Sequence, residues 1–210
     1  MSVFKYFYFF WDVESTGRSP AIDDIISIGG VLTTYHAGEK VFKKIDDFHQ
    51  FVFTERRIPD EAIAIHHITQ DQLIGKPNFS KAIPILRDFL KKYIKTKNDR
   101  VIMIAHNGAR FDDRILYSNF VRNLMNFDEF LKDIHCHGFM DSIKCLKNVL
   151  KSKDDQPVNP ETQRVSYALG NCYTSFCSED GSKLRNAHDA LVDSEALVQV
   201  SYAIGVKDPM

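Results

Sequence analysis

The run Val3-Phe4-Lys5-Tyr6-Phe7-Tyr8-Phe9-Phe10-Trp11 passes directly into Asp12-Val13-Glu14, and few folds accept that combination. The apolar run is far short of the ~20 residues a membrane helix needs, and no later stretch is longer. It reads as a buried strand, Phe4–Trp11, that meets acidic residues at its end and then a turn containing Gly17 and Pro20. Residues i and i+2 of an extended chain face the same side. Asp12 and Glu14 can therefore aim both carboxylates at one point while Val13 turns to the core. A carboxylate buried there without a partner or a metal is costly, and two hard oxygen ligands suit Mg²⁺ or Mn²⁺. Taken alone, Asp12 reads equally as a strand terminator and Glu14 as a solvated turn residue.

The remainder of the 210 residues can close a core over that strand. With 44% hydrophobic and 12% aromatic residues, the chain is neither disordered, nor collagen-like, nor a small disulfide scaffold. Lys and Arg number 27 against 28 Asp and Glu, so a diffuse basic surface is excluded as the main hold on nucleic acid, and any phosphate chemistry must be local. Four cysteines, Cys136, Cys145, Cys172 and Cys177, and no secretory signal of the usual form imply an intracellular, reduced protein, cytoplasmic or nuclear, with no membrane partner. No repeat or second core divides the chain, and residues 1–210 read as a single domain.

Two more strands, Ile22–Thr34 and Val41–Phe53, flank a turn at Ala37-Gly38 and predict an antiparallel meander. Short helices follow over Pro59–Ile65 and Asp71–Ile74. Apolar residues from Phe79 to Ile94 recur at helical spacing, and Pro84, tolerated near a first turn, predicts that this helix starts late. Arg100–Ala105 reads as a strand, Phe111–Leu124 as a helix, Phe139–Asp141 as a strand and Ser142–Leu150 as a helix capped by Asp141. Lys151–Glu161 reads as a polar loop, with helices over Val165–Ser175 and Ala190–Ile204. Strands first and alternating units later predict an α/β layered domain with loops converging on one cleft.

Two later segments bring further acidic residues to strand ends or helix starts. In Ala105-His106-Asn107-Gly108-Ala109-Arg110-Phe111-Asp112, helix capping alone could account for Asn107 and Asp112, and Asp113 is a rival ligand. In His188-Asp189-Ala190-Leu191-Val192-Asp193, five helical residues turn about 140° beyond a full revolution. His188 and Asp193 therefore share a direction only if His188 precedes the helix, for which Asp189 is an apt cap. A histidine there is also an ordinary solvated loop residue.

Together, Phe10-Trp11-Asp12-Val13-Glu14-Ser15-Thr16-Gly17, His106-Asn107-Gly108-Ala109-Arg110-Phe111-Asp112 and His188-Asp189-Ala190-Leu191-Val192-Asp193 resemble the three ordered motifs of the DEDDh (DnaQ-like) 3′-to-5′ exonucleases. Ile58-Pro59-Asp60-Glu61-Ala62 with His66-His67-Ile68-Thr69 is similar to the stretch between the first two motifs in proofreading subunits. Asp141-Ser142-Ile143, Ser166-Tyr167-Ala168-Leu169-Gly170 and Tyr173-Thr174 look most like the TREX three-prime repair exonucleases. The resemblance implies an RNase H-like three-layer fold, with a central mixed five-stranded sheet and helices on both faces.

It also implies release of 5′-mononucleotides from single-stranded DNA or frayed 3′ ends, with an exoribonuclease as the alternative and a non-catalytic nucleic-acid-binding module as a third. Phosphodiester hydrolysis needs an activated water and charge neutralisation, which two Mg²⁺ or Mn²⁺ ions about 4 Å apart supply. By resemblance, Asp12 bridges both ions, Glu14 and Asp193 hold the one that activates water, Asp112 holds the other, and His188 is the general base. An imidazole with an ordinary pKa near 6.5 suits that role at neutral pH. Val13, Ser15 and Thr16 follow Asp12 toward the terminal 3′-hydroxyl, Asn107 and Phe111 line the nucleotide pocket, and Ile68 packs on the terminal base. Arg18 departs from the apolar residue of TREX proteins and would contact phosphate or stack by its guanidinium plane. The resemblance further implies a homodimer through a sheet edge, for which Val41–Phe53 is the candidate strand.

Other patterns lead elsewhere. His135-Cys136-His137 with Cys145, Cys172 and Cys177 matches no zinc-site spacing, and the cysteines read as core and loop residues. Arg56-Arg57, Lys91-Lys92 with Lys95 and Lys97, and Lys151 with Lys153 read as backbone contacts for a nucleic acid or as solvated charges.

Overall fold

Strand β1 (Lys5–Ser15) is buried on both faces, the pattern of a strand in the middle of a sheet. In the computed structural model, which describes residues 4–36, 38–151, 155–179 and 182–205, it is the central strand of five, in the order β3-β2-β1-β4-β5. β2 (Ile25–His36) pairs antiparallel with β1 and with β3 (Val41–Phe51), giving the expected meander. Of the turn expected at Ala37-Gly38, Ala37 lies outside the described residues. β4 (Asp99–Ala105) and β5 (Cys136–Asp141) add in parallel on the other side, so the sheet is mixed, as the resemblance implied.

Alternation along β1 sorts its side chains between two helical layers. Phe7, Phe9, Trp11 and Val13 enter a core cluster with residues of α3 (Phe79–Lys91), α4 (Asp112–Arg122) and α5 (Phe127–Asp133). Tyr8 and Phe10 face the other way and, with Ile102 and Ile104 of β4, meet Leu197 of α8 (Ala190–Ala203). Each large apolar side chain sealed in this way contributes roughly 1.5–3 kcal/mol. Short helices α1 (Asp60–His66) and α2 (Gln70–Leu73) rest on a small cluster of Ile26, Ile58, Ile68 and Leu73. α6 (Ser142–Val149) is capped by the Asp141 carboxylate, as expected, and with α7 (Leu169–Phe176) packs on the far end of α8. Among the described residues no helix is long and apolar enough to cross a membrane.

Several boundaries differ from expectation for local reasons. β1 continues past Trp11 because Asp12, Val13 and Glu14 keep pairing with Gly29, Ile28 and Ser27 of β2. α3 does not start late: the Asn78 side chain accepts the Lys81 N–H and begins the helix at Phe79, with Pro84 inside it. α7 begins at Leu169, since Val165 is bridged to Val158 and the Ser166 N–H is bonded to the Pro157 carbonyl. α5 has no counterpart in the sequence expectations. Asn126 caps it, and Phe127 and Phe130 pack their rings 5.0 and 5.1 Å from Phe120. Of the Lys151–Glu161 loop, residues 152–154 lie outside the described residues, and so does Lys153 of the basic pair.

Candidate active site

Gly29 stands opposite Asp12 in the β1–β2 register. A Cβ on Gly29 would lie 2.2 Å from the Ala190 carbonyl carbon, so only a bare backbone lets α8 begin directly against the sheet at this point. Asp193, in the first turn of α8, is thereby delivered to the face of β1 that carries Asp12 and Glu14. Asp189 caps α8, its carboxylate accepting the N–H groups of Leu191 and Val192 at 3.0 and 3.2 Å. His188 precedes the cap in a left-handed conformation, φ 69°, and its N–H donates to Asp193 Oδ2 at 3.1 Å. The loop position that the helical geometry demanded for His188 is therefore the one it occupies. Ligand atoms of Glu14, His188 and Asp193 all lie within 4.8 Å of one another.

Asp112 reaches the same place from the opposite layer, as the first residue of α4. That helix is anchored to the segment after β1. The Asn119 side chain donates to the Asp23 carbonyl at 3.2 Å, and Arg122 donates to the carbonyls of Ala21 and Asp23 and pairs with Asp24 at 3.1 Å.

The charges acting on this group of carboxylates are mostly of their own sign. Burial, then Asp112, Glu14, Asp193 and Asp189, hold the Asp12 carboxyl well above the usual range. Burial followed by Asp193, Asp112 and Asp189 pushes Glu14 up to about 9. Burial raises Asp112 to about 7 against the pull of backbone N–H groups, including that of Val13, and raises Asp193 to about 6 against the His188 N–H. Asp193 Oδ1 is buried and accepts no hydrogen bond. An orphaned carboxylate oxygen among carboxylates that raise one another's pKa fits a multivalent cation. Asp113, the rival ligand, is raised to about 6 by burial and by Asp141 instead.

Beside these groups opens a cleft of about 850 Å³, lined by Val13, Glu14, Ser15, Gly17 and Arg18, by α1 residues including Ala62, Ile65 and His66, and by Phe111 and His188. Val13, Ser15, Arg18 and Phe111 thus stand where the resemblance put them. Thr16 and Ile68 do not. Thr16 is buried and ties the turn together, its hydroxyl bonding Asp23 and accepting the Asp24 N–H, while Ile68 is held in the cluster beneath α1. Asn107 sits outside the lining, in a left-handed turn where its carbonyl accepts the N–H groups of Arg110 and Phe111. Ala62, Ile65 and His66 face the cleft in the place expected of Ile68.

Sequence reasoning also missed His106, whose Nδ1 bonds the Ser142 hydroxyl at 2.8 Å and whose Nε2 bonds the Tyr167 carbonyl at 2.7 Å, joining β4, α6 and the segment before α7. The Gly29-Gly30 pair inside an apolar strand was the available signal for the α8 contact.

A family model described as RNase_T, exonuclease, matches residues 9–201, which includes all three motifs and every strand of the sheet. The chain belongs to this exonuclease family. Over 106 residues, half of its length, this family member is 35% identical to the DNA polymerase III subunit epsilon of Treponema pallidum, spanning 42% of that protein. Over 194 residues, 90% of its length, it is 29% identical to the epsilon subunit of Buchnera aphidicola, spanning 66% of that protein. It also aligns with 11% of a PolC-type DNA polymerase III of Clostridium perfringens, at 25% identity. E. coli exonuclease I in complex with a dT13 oligonucleotide superposes with a TM-score of 0.75 at 19% identity, covering 98% of this chain and 42% of that one. The shared architecture is the RNase H-like exonuclease fold.

Proposed function

We propose that the protein is a divalent-metal-dependent 3′-to-5′ exodeoxyribonuclease of the DEDDh type, releasing 5′-mononucleotides from single-stranded DNA or frayed 3′ ends. The observation that carries this proposal is the convergence of Asp12, Glu14, Asp112 and Asp193, which raise one another's pKa beside an open cleft. A module that only binds nucleic acid has no use for carboxylates that repel phosphate. Two Mg²⁺ or Mn²⁺ ions held by these four side chains would supply charge neutralisation and an acidified water.

The protein's own groups do the rest. His188, exposed at the cleft and held to Asp193 through its backbone, accepts the proton of the attacking water. Glu14 and the backbone at Val13 meet the 3′-terminal sugar, and Phe111 offers a ring to the terminal base, a contact that tolerates any sequence. Arg18 supplies a cation at the cleft wall for the chain's next phosphate.

The polymerase subunits among its relatives favour DNA and an intracellular setting. Within the family, Asp141-Ser142-Ile143, Ser166–Gly170 and Tyr173-Thr174 favour the TREX type. β3 is an edge strand, as a homodimer through the sheet edge requires. A monomer mass in light scattering at micromolar concentration would overturn that pairing.

The activity is tested with matched 3′-labelled and 5′-labelled DNA and RNA oligonucleotides in Mg²⁺, Mn²⁺ and chelator. Stepwise, metal-dependent loss from the 3′ end of DNA is expected, collapsing in His188→Ala. Preferred loss from RNA would make it an exoribonuclease, and binding without degradation by folded protein would overturn the enzyme reading.

A further inference from the structure

The cleft wall contributed by α1 contains a hydrogen-bonding group that nothing above employs. His66 is 7% exposed, lines the cleft, and leaves its Nε2 buried without a hydrogen-bond partner. Its ring orientation is fixed by the way the helix ends. His67 takes a left-handed conformation, φ 59°, with its N–H bonded to the Ile63 carbonyl, and the chain then turns so that the Ile68 N–H donates to His66 Nδ1 at 3.0 Å. A ring nitrogen that accepts an N–H carries no proton, so the neutral ring carries its hydrogen on Nε2. Burial also favours that neutral form, against the nearby Ser15 carbonyl. The result is an N–H donor, rigidly oriented, at the end of β1 where Glu14 and Ser15 also line the cleft.

Leaving a buried donor unmade costs about 1–3 kcal/mol, and a native structure keeps few of them. We infer that His66 Nε2–H is a substrate-positioning donor that binds an acceptor atom of the 3′-terminal nucleoside. This rests on the exonuclease reading given above. The acceptor belongs either to the base or to the sugar, and both are available only in a nucleotide seated in this cleft. The proposal assigns His66 to placing the terminal nucleotide, with no part in proton transfer.

Two substitutions separate this role from a structural one. His66→Asn keeps an oxygen near the Nδ1 position to accept the Ile68 N–H but removes the donor that reaches the cleft. His66→Gln keeps a donor near the Nε2 position and gives up the Nδ1 acceptor. Steady-state hydrolysis of a thymidine-terminated single-stranded oligonucleotide should show KM raised about tenfold in His66→Asn, the size of one lost hydrogen bond. In that variant kcat should change less than about twofold, and His66→Gln should recover most of the KM. The opposite order, with His66→Asn normal and His66→Gln impaired, would overturn the proposal and make His66 a helix-end lock.

An oligonucleotide ending in an abasic sugar distinguishes the acceptors. If the Asn effect persists on it, the sugar is bound, and if it vanishes, the base is. Binding of dTMP, measured alongside, separates the two levels of inference. A wild type that neither degrades oligonucleotides nor binds dTMP overturns the exonuclease reading and this one together. A wild type that degrades them, with His66→Asn unchanged in KM, overturns only the role of His66.

Discussion

The two faces of β1 are built from one backbone and do opposite work. Phe7, Phe9, Trp11 and Val13 are sealed under α3, α4 and α5, and nothing on that face asks for a partner beyond more hydrocarbon. On the other face Tyr8 and Phe10 are packed in the same manner, but two residues further along the alternation meets Asp12 and Glu14. There the covering element is the start of α8, let in by Gly29 and bringing another carboxylate, Asp193. One face gains stability from burial, while the other holds like charges that burial has made costly. The comparison teaches that a strand can end as a ligand array only if the rest of it is anchored heavily enough to bear the repulsion.

Substitutions should break the comparison cleanly. Glu14→Gln or Asp193→Asn should reduce metal-dependent hydrolysis by about a thousandfold or more, since each removes a ligand of the charge-stabilising cation, while the folded state survives. Phe9→Ala on the opposite face should do the reverse. It should cost about 3–5 kcal/mol in denaturant unfolding and leave turnover per folded molecule intact.

Gly29→Ala should affect both quantities. Its Cβ would enter the backbone of α8, costing about 1–3 kcal/mol by overpacking and lowering hydrolysis about a hundredfold by shifting Asp193.

The smallest effect is one of pH. Glu14 is raised in the folded state from 4.5 to about 9, so the folded state binds a proton that the unfolded state has lost. The stability of the chelated protein should therefore be greatest below about pH 4.5 as far as this group is concerned, and should fall as pH rises toward about 9. Saturating Mg²⁺ should flatten that decline in a melting series, and an unchanged slope would contradict the electrostatic description of the site.

Much of this was legible in the sequence because the informative patterns are local. An aromatic run ending in Asp-x-Glu, a strand ending at His106-Asn107-Gly108 and an Asp189 cap each state their geometry within a few residues. What escaped depends on contacts between distant segments. α5 is held by ring packing between Phe127, Phe130 and Phe120 rather than by its own short sequence. Ile68 stands in the matching motif, yet the left-handed turn at His67 sends it to the cluster under α1 and leaves Ala62, Ile65 and His66 on the cleft. Thr16 has the spacing of a substrate contact but is engaged by Asp23 and Asp24. The need for glycine at position 29 becomes visible only when α8 is seen against the sheet.

The central claim, that the acidic end of β1 serves chemistry at the expense of stability, is tested most directly by Asp12→Asn with two readings on the same preparation. Metal-free unfolding should show the variant at least as stable as the wild type, because a repelled, buried carboxylate has been neutralised, while hydrolysis of a 3′-labelled oligonucleotide in Mg²⁺ should collapse. A destabilised variant that still degrades the oligonucleotide would show Asp12 to be a structural residue and would contradict the claim.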